Sequence, residues 1–374
     1  MRTDTSDVQQ RVQRALDKLV ESGQETGLQA AAYFRGELVA DAAAGLADPV
    51  GGAPAGRDTL FHSFSTAKGV TATVAHVLAA RGVLDYDSPV AEYWPEFAAH
   101  GKQDITLHQV LTHTAGVPHL PSDTMPSHMS DWGEMCTRIA GLSPLWDPGT
   151  DMGYHGWTFG WIIGEVIRRA TGNPVSAALR DHVASPLGVA DSLFFGVPGS
   201  EATRLAVLVE GNWDAAIAAM PDSAPIFLAS PRPIAAGAGL GNGEAYLRAD
   251  IPSAGTMTAA AVARMYAALL GEVGGVRLLS AEHLARVSAP AASGTDRMLG
   301  HHSPKALGYF LGLSWAGGSP QSFGTTGSGG SAAFADPAHG ISFALTKNRL
   351  TVGPADQAAR SVAHEVYAAL GRTA

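Results

Sequence analysis

Two short apolar strand pairs stand near opposite ends of the sequence, and their separation constrains the fold more than any other feature. The first, residues 29–34 and 38–42, flanks the glycine-containing turn Arg35-Gly36-Glu37. The second, residues 330–335 and 341–346, is joined by the turn-forming run Asp336-Pro-Ala-His-Gly340. Before the first pair, Val8, Val12, Leu16, Leu19 and Val20 recur on one helical face between Ser6 and Gly23. After the second, Pro354 opens an amphipathic helix that runs to Leu370. Helix, hairpin, long insertion, hairpin, helix predicts an α+β fold. One antiparallel sheet gathers both hairpins, and the terminal helices cover its outer face.

The insertion has a different texture. From about Val83 the chain breaks into short segments punctuated by Pro, Gly and His. We divide the sequence into a discontinuous α/β domain, residues 1–95 and 250–374, and an inserted, mainly helical domain, residues 96–249. The best helix of the insertion is Thr158–Thr171, with Ile162, Ile163, Val166, Ile167 and Ala170 inward and Gly172 as its stop. A further helix spans 258–270 and ends at Gly271, and residues 47–58, rich in Gly and Pro, read as a loop. Ligand clefts favour the seam between such domains.

Composition removes several classes of function. Phosphate binding needs clustered cations, and here 25 Lys and Arg face 34 Asp and Glu, a net charge of −9. Nucleic acid and anionic membrane are therefore not expected partners, and small molecules are. The single Cys136 excludes an internal disulfide framework. The first residues lack an apolar run of signal type, and no window is long and apolar enough to span a bilayer, so the expectation is a cytoplasmic protein. No cofactor is implied. The glycine-rich run 235–243 lacks the following Lys-Ser or Lys-Thr of a phosphate cradle, and His113, His119, His301 and His302 lack metal-ligand spacing.

One polar tetrad, Ser65-x-x-Lys68, opens a helix whose Val70, Val74, Val77 and Leu78 recur at helical spacing up to Gly82. The i, i+3 spacing makes the hydroxyl and the amine neighbours. The free amides of a helix start favour developing negative charge. A serine needs an adjacent base to become nucleophilic, and a desolvated amine can serve. A capping serine followed by a surface lysine has the same spacing, so the tetrad alone leaves both readings open. Acyl chemistry also needs a second proton-handling group and an oxyanion hole. Gly153-Tyr154-His155-Gly156-Trp157, ahead of the best helix, offers a phenol. Gly324-Thr325-Thr326-Gly327-Ser328-Gly329-Gly330 offers an amide that glycines let approach a substrate.

Taken in order, Ser65-Thr-Ala-Lys68, Leu111-Thr-His-Thr-Ala-Gly116, Trp146-x-Pro-Gly-Thr150 before Tyr154, and Thr325-Thr-Gly-Ser328 resemble the serine β-lactamase and penicillin-binding-protein superfamily. The resemblance is greatest to the class C-like branch that holds the family VIII carboxylesterases, and it covers nearly the whole chain. It implies a β-lactamase/transpeptidase-like fold, acylation of Ser65, proton shuttling by Lys68 and Tyr154, and an oxyanion hole from the amides of Ser65 and Ser328. Substrate contacts would fall on Thr325, Thr326, Gly327, His155, Gly156 and Trp157.

Two departures bear on the substrate. Gly156 replaces the Asn usual in Tyr-x-Asn, and Thr325 replaces the Lys or His that opens the third motif. The first removes an amide anchor and the second removes a cation for a carboxylate, although Arg232, Arg248 and Arg349 are possible substitutes. The expectation is a carboxylesterase acting on small to medium neutral esters. The alternatives are an acyltransferase using the same acyl-enzyme, a β-lactamase or DD-peptidase, and a silent ligand-binding relative. His113 reads as structural, and His155 either lines the cleft or faces away. Trp94, Trp132, Trp146, Trp157 and Trp161 read as core, or as an apolar acyl pocket.

Overall fold

The computed structural model describes residues 5–372. Its centre is a seven-stranded sheet drawn from both ends of the sequence. The strands are β1 (Gly27–Phe34), β2 (Glu37–Asp48), β3 (Ala53–Pro54), β4 (Phe310–Leu311), β5 (Phe323–Thr326), β6 (Ala332–Asp336) and β7 (Ile341–Lys347). They lie in the order β3-β2-β1-β7-β6-β5-β4. The join between the ends of the chain is β1 against β7, antiparallel, with Ala30 opposite Leu345 and Ala31 opposite Ala344. A lone hairpin is marginal in water, so this join is what makes both hairpins stable.

Successive side chains of a strand point to opposite faces, and here each face has its own helices. Leu28, Ala30 and Ala32 pack with Val8, Val12 and Leu16 of α1 (Thr5–Glu21) and with Val362 and Val366 of the C-terminal helix Ala358–Ala369. Ala31 and Tyr33 instead join a larger core that includes Val70 and Val74 of α2 (Ala67–Ala80). The helix Ala259–Leu270 adds Val262 and Met265 to the same core. Cover on both faces explains why these strands read as unbroken apolar runs.

Helix α2 is buried at every position from Ala67 to Leu78, and its buried Thr71, Thr73 and His76 find hydrogen-bond partners at Pro252 O, Gly69 O and Leu307 O. Against it lies α3 (Thr158–Thr171), closed by Gly172 in the left-handed conformation. Residues 96–249 hold many short helices, of which α4 (Trp213–Ala219) borders the site. They also supply strand Leu193–Phe194, which pairs with Thr256–Met257, and Val209–Glu210, which runs parallel to Arg349–Leu350. These short pairings had no sequence signal, because two-residue strands carry no periodicity.

Three boundaries differ from expectation. Ser65 lies in a 3-10 turn, Phe64–Thr66, that precedes α2. Strand β2 runs on to Asp48 and β3 lies inside the expected 47–58 loop. Pro354 sits in a separate 3-10 turn, and the last helix begins at Ala358. No helix among the described residues is long and apolar enough to cross a membrane.

Candidate active site

The turn that carries Ser65 is strained. Phe64, just before it, has φ 43°, a left-handed conformation uncommon for a bulky residue and costing of order 1–3 kcal/mol. Its buried ring meets His62 edge-on at 4.5 Å, and Ser63 N–H donates to Gly255 at 2.8 Å. On the other side Gly327 presses against the turn so closely that a Cβ there would lie 2.0 Å from the Ser63 carbonyl. The surrounding contacts therefore fix the conformation and turn Ser65 toward open space.

Lys68 Nζ lies 2.8 Å from Ser65 Oγ and donates to the Ser253 carbonyl at 3.1 Å. The side chain is 1% exposed. Among the described residues no carboxylate pairs with it, and burial holds its pKa well below that of an ordinary lysine. A neutral amine keeps a lone pair, so the serine hydroxyl can donate to it. Tyr154 completes the group. Its ring centroid is 4.9 Å from Lys68 Nζ, and Tyr154 lines the same space as Ser65. Burial raises the phenol's pKa above its usual value, and the nearby Ser65 hydroxyl offsets only part of that rise. Burial thus disfavours both charged forms, the ammonium of Lys68 and the phenolate of Tyr154.

The backbone amides of Ser65 and Ser328 donate no hydrogen bond among the described residues, and both residues line the space in front of the hydroxyl. That space has two lobes. The first, about 250 Å³, is the less open and mainly apolar, walled by Trp157, Trp213, Ile217, Met220, Phe227 and Leu299 among others. The second, about 500 Å³, is more open and includes His301, Trp315, Thr326, Gly327, Val352 and Asp356. Ser65, Tyr154 and Ser328 belong to both. Among the described residues no Lys or Arg lines either lobe, and no cluster of His, Cys, Asp and Glu could hold a metal ion.

Several expected substrate contacts lie elsewhere. Thr325 points away from both lobes: its hydroxyl donates to Thr66 O at 2.8 Å and accepts from Gly69 N–H at 3.3 Å. It straps β5 to the start of α2, while its neighbour Thr326, on the opposite face, lines the open lobe. His155 is fully buried with both ring nitrogens on backbone groups, Gly153 O at 2.7 Å and Val117 N–H at 3.2 Å. Burial pushes its pKa down to about 3, and it faces away from the cleft. His113, at φ 61°, accepts from His155 N–H and stacks on Phe159 at 4.9 Å, a packing role. Gly156 does line the apolar lobe. A Cβ there would stand 3.1 Å from the Ala229 carbonyl, so the turn Ile226–Ala229 occupies the direction in which an asparagine would project.

The candidate replacement cations are engaged outside the lobes. Arg232 pairs with Asp222 at 2.6 Å over the Phe227 ring, Arg248 pairs with Glu244 at 2.8 Å, and Arg349 donates to Gly23 O at 3.0 Å. Of the five tryptophans singled out, only Trp157 lines the apolar lobe; Trp94 and Trp161 are core, and Trp132 and Trp146 bond Glu165 and Thr114.

Other contributors were missed. Ser253 supplies the carbonyl that holds Lys68, and its hydroxyl bridges Trp157 O and Gly160 N–H. Asp296 is buried against Lys305 at 2.7 Å and accepts from the amides of Tyr154, Met298 and Leu299. It anchors the catalytic-tyrosine candidate to a wall of the cavity. Neither residue sits in a periodic segment, so their convergence had no local signature.

A profile of the Beta-lactamase family matches residues 12–368. The esterase/beta-lactamase LipL of Mycobacterium tuberculosis is 37% identical over 340 residues, 86% of this chain and 76% of LipL. The crystal structure of a family VIII carboxylesterase superposes with a TM-score of 0.86 at 32% identity, covering 96% of this chain and 97% of that one. A penicillin-binding-protein homologue from Caulobacter crescentus gives 0.85 at 33% identity, covering 96% and 97%.

Proposed function

The chain belongs to the Beta-lactamase family and is a serine hydrolase of that type, and we propose that within it the protein cleaves neutral carboxylic esters with small to medium acyl groups. The observation that supports this most directly is the Ser65–Lys68 pair, with the buried amine 2.8 Å from the hydroxyl, facing a cleft whose walls carry no Lys or Arg among the described residues. A β-lactam or peptide terminus would leave its carboxylate without a cation there, whereas an uncharged ester needs none. The name of the family VIII carboxylesterase points to esters, while that of LipL, an esterase/beta-lactamase, covers both substrates.

Ser65 Oγ attacks the ester carbonyl carbon while its proton passes to Lys68. The resulting oxyanion is held by the amides of Ser65 and Ser328. As the C–O bond to the alcohol breaks, Tyr154 gives its proton to the departing alkoxide and recovers one from Lys68. Water entering by the open lobe then attacks the acyl-enzyme. It loses a proton to the same pair, and the carboxylic acid leaves with Ser65 restored. A second outcome, transfer to an alcohol, is favoured by the size of the open lobe, about 500 Å³ and sharing Ser65 and Tyr154.

The test is a time course with an activated ester, with and without alcohol acceptors, alongside intact-mass analysis and a chromogenic cephalosporin. Ester turnover through an adduct that is absent in Ser65→Ala is the expected result. Cephalosporin turnover rivalling ester hydrolysis would overturn the substrate assignment. A product ratio that ignores added alcohols would remove the transfer reading. The absence of any adduct would mark a silent ligand-binding relative.

A further inference from the structure

The apolar lobe ends at a thin partition. Ile217, Ala235 and Ala236 line it from inside, and the same three residues line a larger groove of about 710 Å³ on the other side. Two chain segments make this panel, helix α4 and the strip that follows Arg232. They are stapled at both ends: Trp213 Nε1 donates to Ala236 O at 2.5 Å, and Arg232 donates to Ile217 O at 3.2 Å and to Met220 O at 2.7 Å. Glu210 ties the two segments again, accepting from Asp214 N–H at 3.2 Å and Ala238 N–H at 2.9 Å. Such cross-linking makes the panel a stop and not a loose flap. Beyond it the groove is lined by the buried Leu240 and Tyr246 and by the exposed Ser127, Asp214, Arg232 and Glu244, so its buried lining is apolar and its exposed lining polar.

We propose that the panel of Ile217, Ala235 and Ala236 sets the length of acyl chain this enzyme accepts, and that the groove behind it is a latent extension of the acyl site. The proposal rests on the acyl-enzyme reading above. The acyl chain belongs in the less open lobe because it stays bound through deacylation and gains from apolar cover, while alcohol and water exchange through the open one. The lobe is the smaller of the two, about 250 Å³ against about 500 Å³, and it ends at the panel. A longer straight chain meets the side chain of Ile217. Trimming that side chain joins the lobe to the groove. No residue of α4 is buried, so the change leaves the core intact.

The experiment measures kcat/KM for p-nitrophenyl butyrate, octanoate, dodecanoate and palmitate with the full-length protein, Ile217→Ala and Ala236→Leu. Wild type should prefer butyrate and octanoate. Ile217→Ala should raise the dodecanoate-to-octanoate ratio by about tenfold, the size expected when a few more methylenes find apolar cover. Ala236→Leu, which narrows the same point, should lower the octanoate-to-butyrate ratio. If both variants keep the wild-type chain-length profile with native circular dichroism, the panel is not the determinant and the esterase reading stands untouched. If Ile217→Ala fails to fold, the Ala236→Leu profile decides alone. If wild type hydrolyses none of the four esters and shows no adduct at Ser65, the esterase reading falls and this proposal falls with it.

Discussion

Ser65 and Lys68 stand on a floor where every α2 residue from Ala67 to Leu78 is buried, while the roof helix Trp213–Ala219 buries none of its residues. The floor is tied to the sheet by Thr325 and to the preceding turn by Gly327; the roof is two half-exposed segments joined by a handful of hydrogen bonds and touching the core through Trp213, Ile234 and Ala236. Proton transfer tolerates little displacement, so its groups sit on rigid elements. Chain-length selection needs only a wall, which a half-exposed helix can supply and alter at Ile217 without touching the core. The strain at Phe64 belongs to the floor because only dense packing can hold it.

The largest expected effects fall on the floor. Ser65→Ala and Lys68→Met should each lower kcat/KM for an activated ester by roughly 10⁴-fold. Their stabilities should move apart. Burial depresses the lysine's folded pKa, while the unfolded chain keeps a lysine near 10.4. Between those values the unfolded state binds more protons, so burying Lys68 costs stability that diminishes as pH rises and vanishes above the unfolded pKa. Lys68→Met should therefore raise Tm at neutral pH, and by less as pH nears 10, while Ser65→Ala should not share that pH dependence. Differential scanning fluorimetry across pH reads this directly, and a flat Lys68→Met difference would mean that the amine is charged in the fold.

The pH profile is the next test. Because the amine acts when neutral, activity should climb through an acid limb that lies below an ordinary lysine's range. It should decline only when the phenol ionises, above its usual value of about 10. Tyr154→Phe should lose about 10²–10⁴-fold in kcat, as expected for a missing general acid, together with the alkaline limb. An unchanged alkaline limb in that variant would assign it to another group.

The same division explains what could be read from the sequence. Ser65 and Lys68 are three residues apart and α3 was legible from Thr158 to Thr171, because local spacing and helical periodicity carry both. The hairpins were legible as strands, and their union into one sheet followed from their placement. The roof was not legible: α4, the Ile226–Ala229 turn and the Arg232 strip are short, half-exposed and without period. Which side a loop residue faces was also hidden. His155 beside Tyr154 turned into the protein, since outside a helix or strand adjacent positions carry no rule of direction. Thr325 was misjudged by one step of strand alternation. Asp296 and Lys305 meet only through tertiary structure.

Gly156 lies where floor and roof meet. Introducing the asparagine of the Tyr-x-Asn pattern with Gly156→Asn places a Cβ 3.1 Å from the Ala229 carbonyl, so the roof turn must shift outward. Overpacking of this kind costs about 1–3 kcal/mol. We expect roughly a tenfold loss in kcat/KM for short esters with KM carrying most of it, since the wall moves and the Ser65–Lys68 pair does not. Equal losses in kcat would show that roof and floor are coupled.

Thr325 and Thr326 give the finest test, because adjacent residues of one strand serve the two regions separately. Thr66, at the start of α2, makes no side-chain cap of its own. The Thr325 hydroxyl, reaching across from β5, takes the Gly69 N–H that would otherwise be an orphan of the first turn. Thr325→Val keeps the shape and removes that acceptor in a buried setting, a loss of about 1–2 kcal/mol. Its kcat should stay within about threefold of wild type, since the hydroxyl touches neither lobe. Thr326→Val removes a hydroxyl that faces the open lobe. Its stability should change by less than about 0.5 kcal/mol, as at most sites outside the core, while KM for alcohol acceptors or for the ester changes. Denaturant melts and steady-state kinetics on the pair separate the two roles. If Thr325→Val lost activity without losing stability, the hydroxyl would have to act on substrate, and the strap between sheet and helix would no longer describe it.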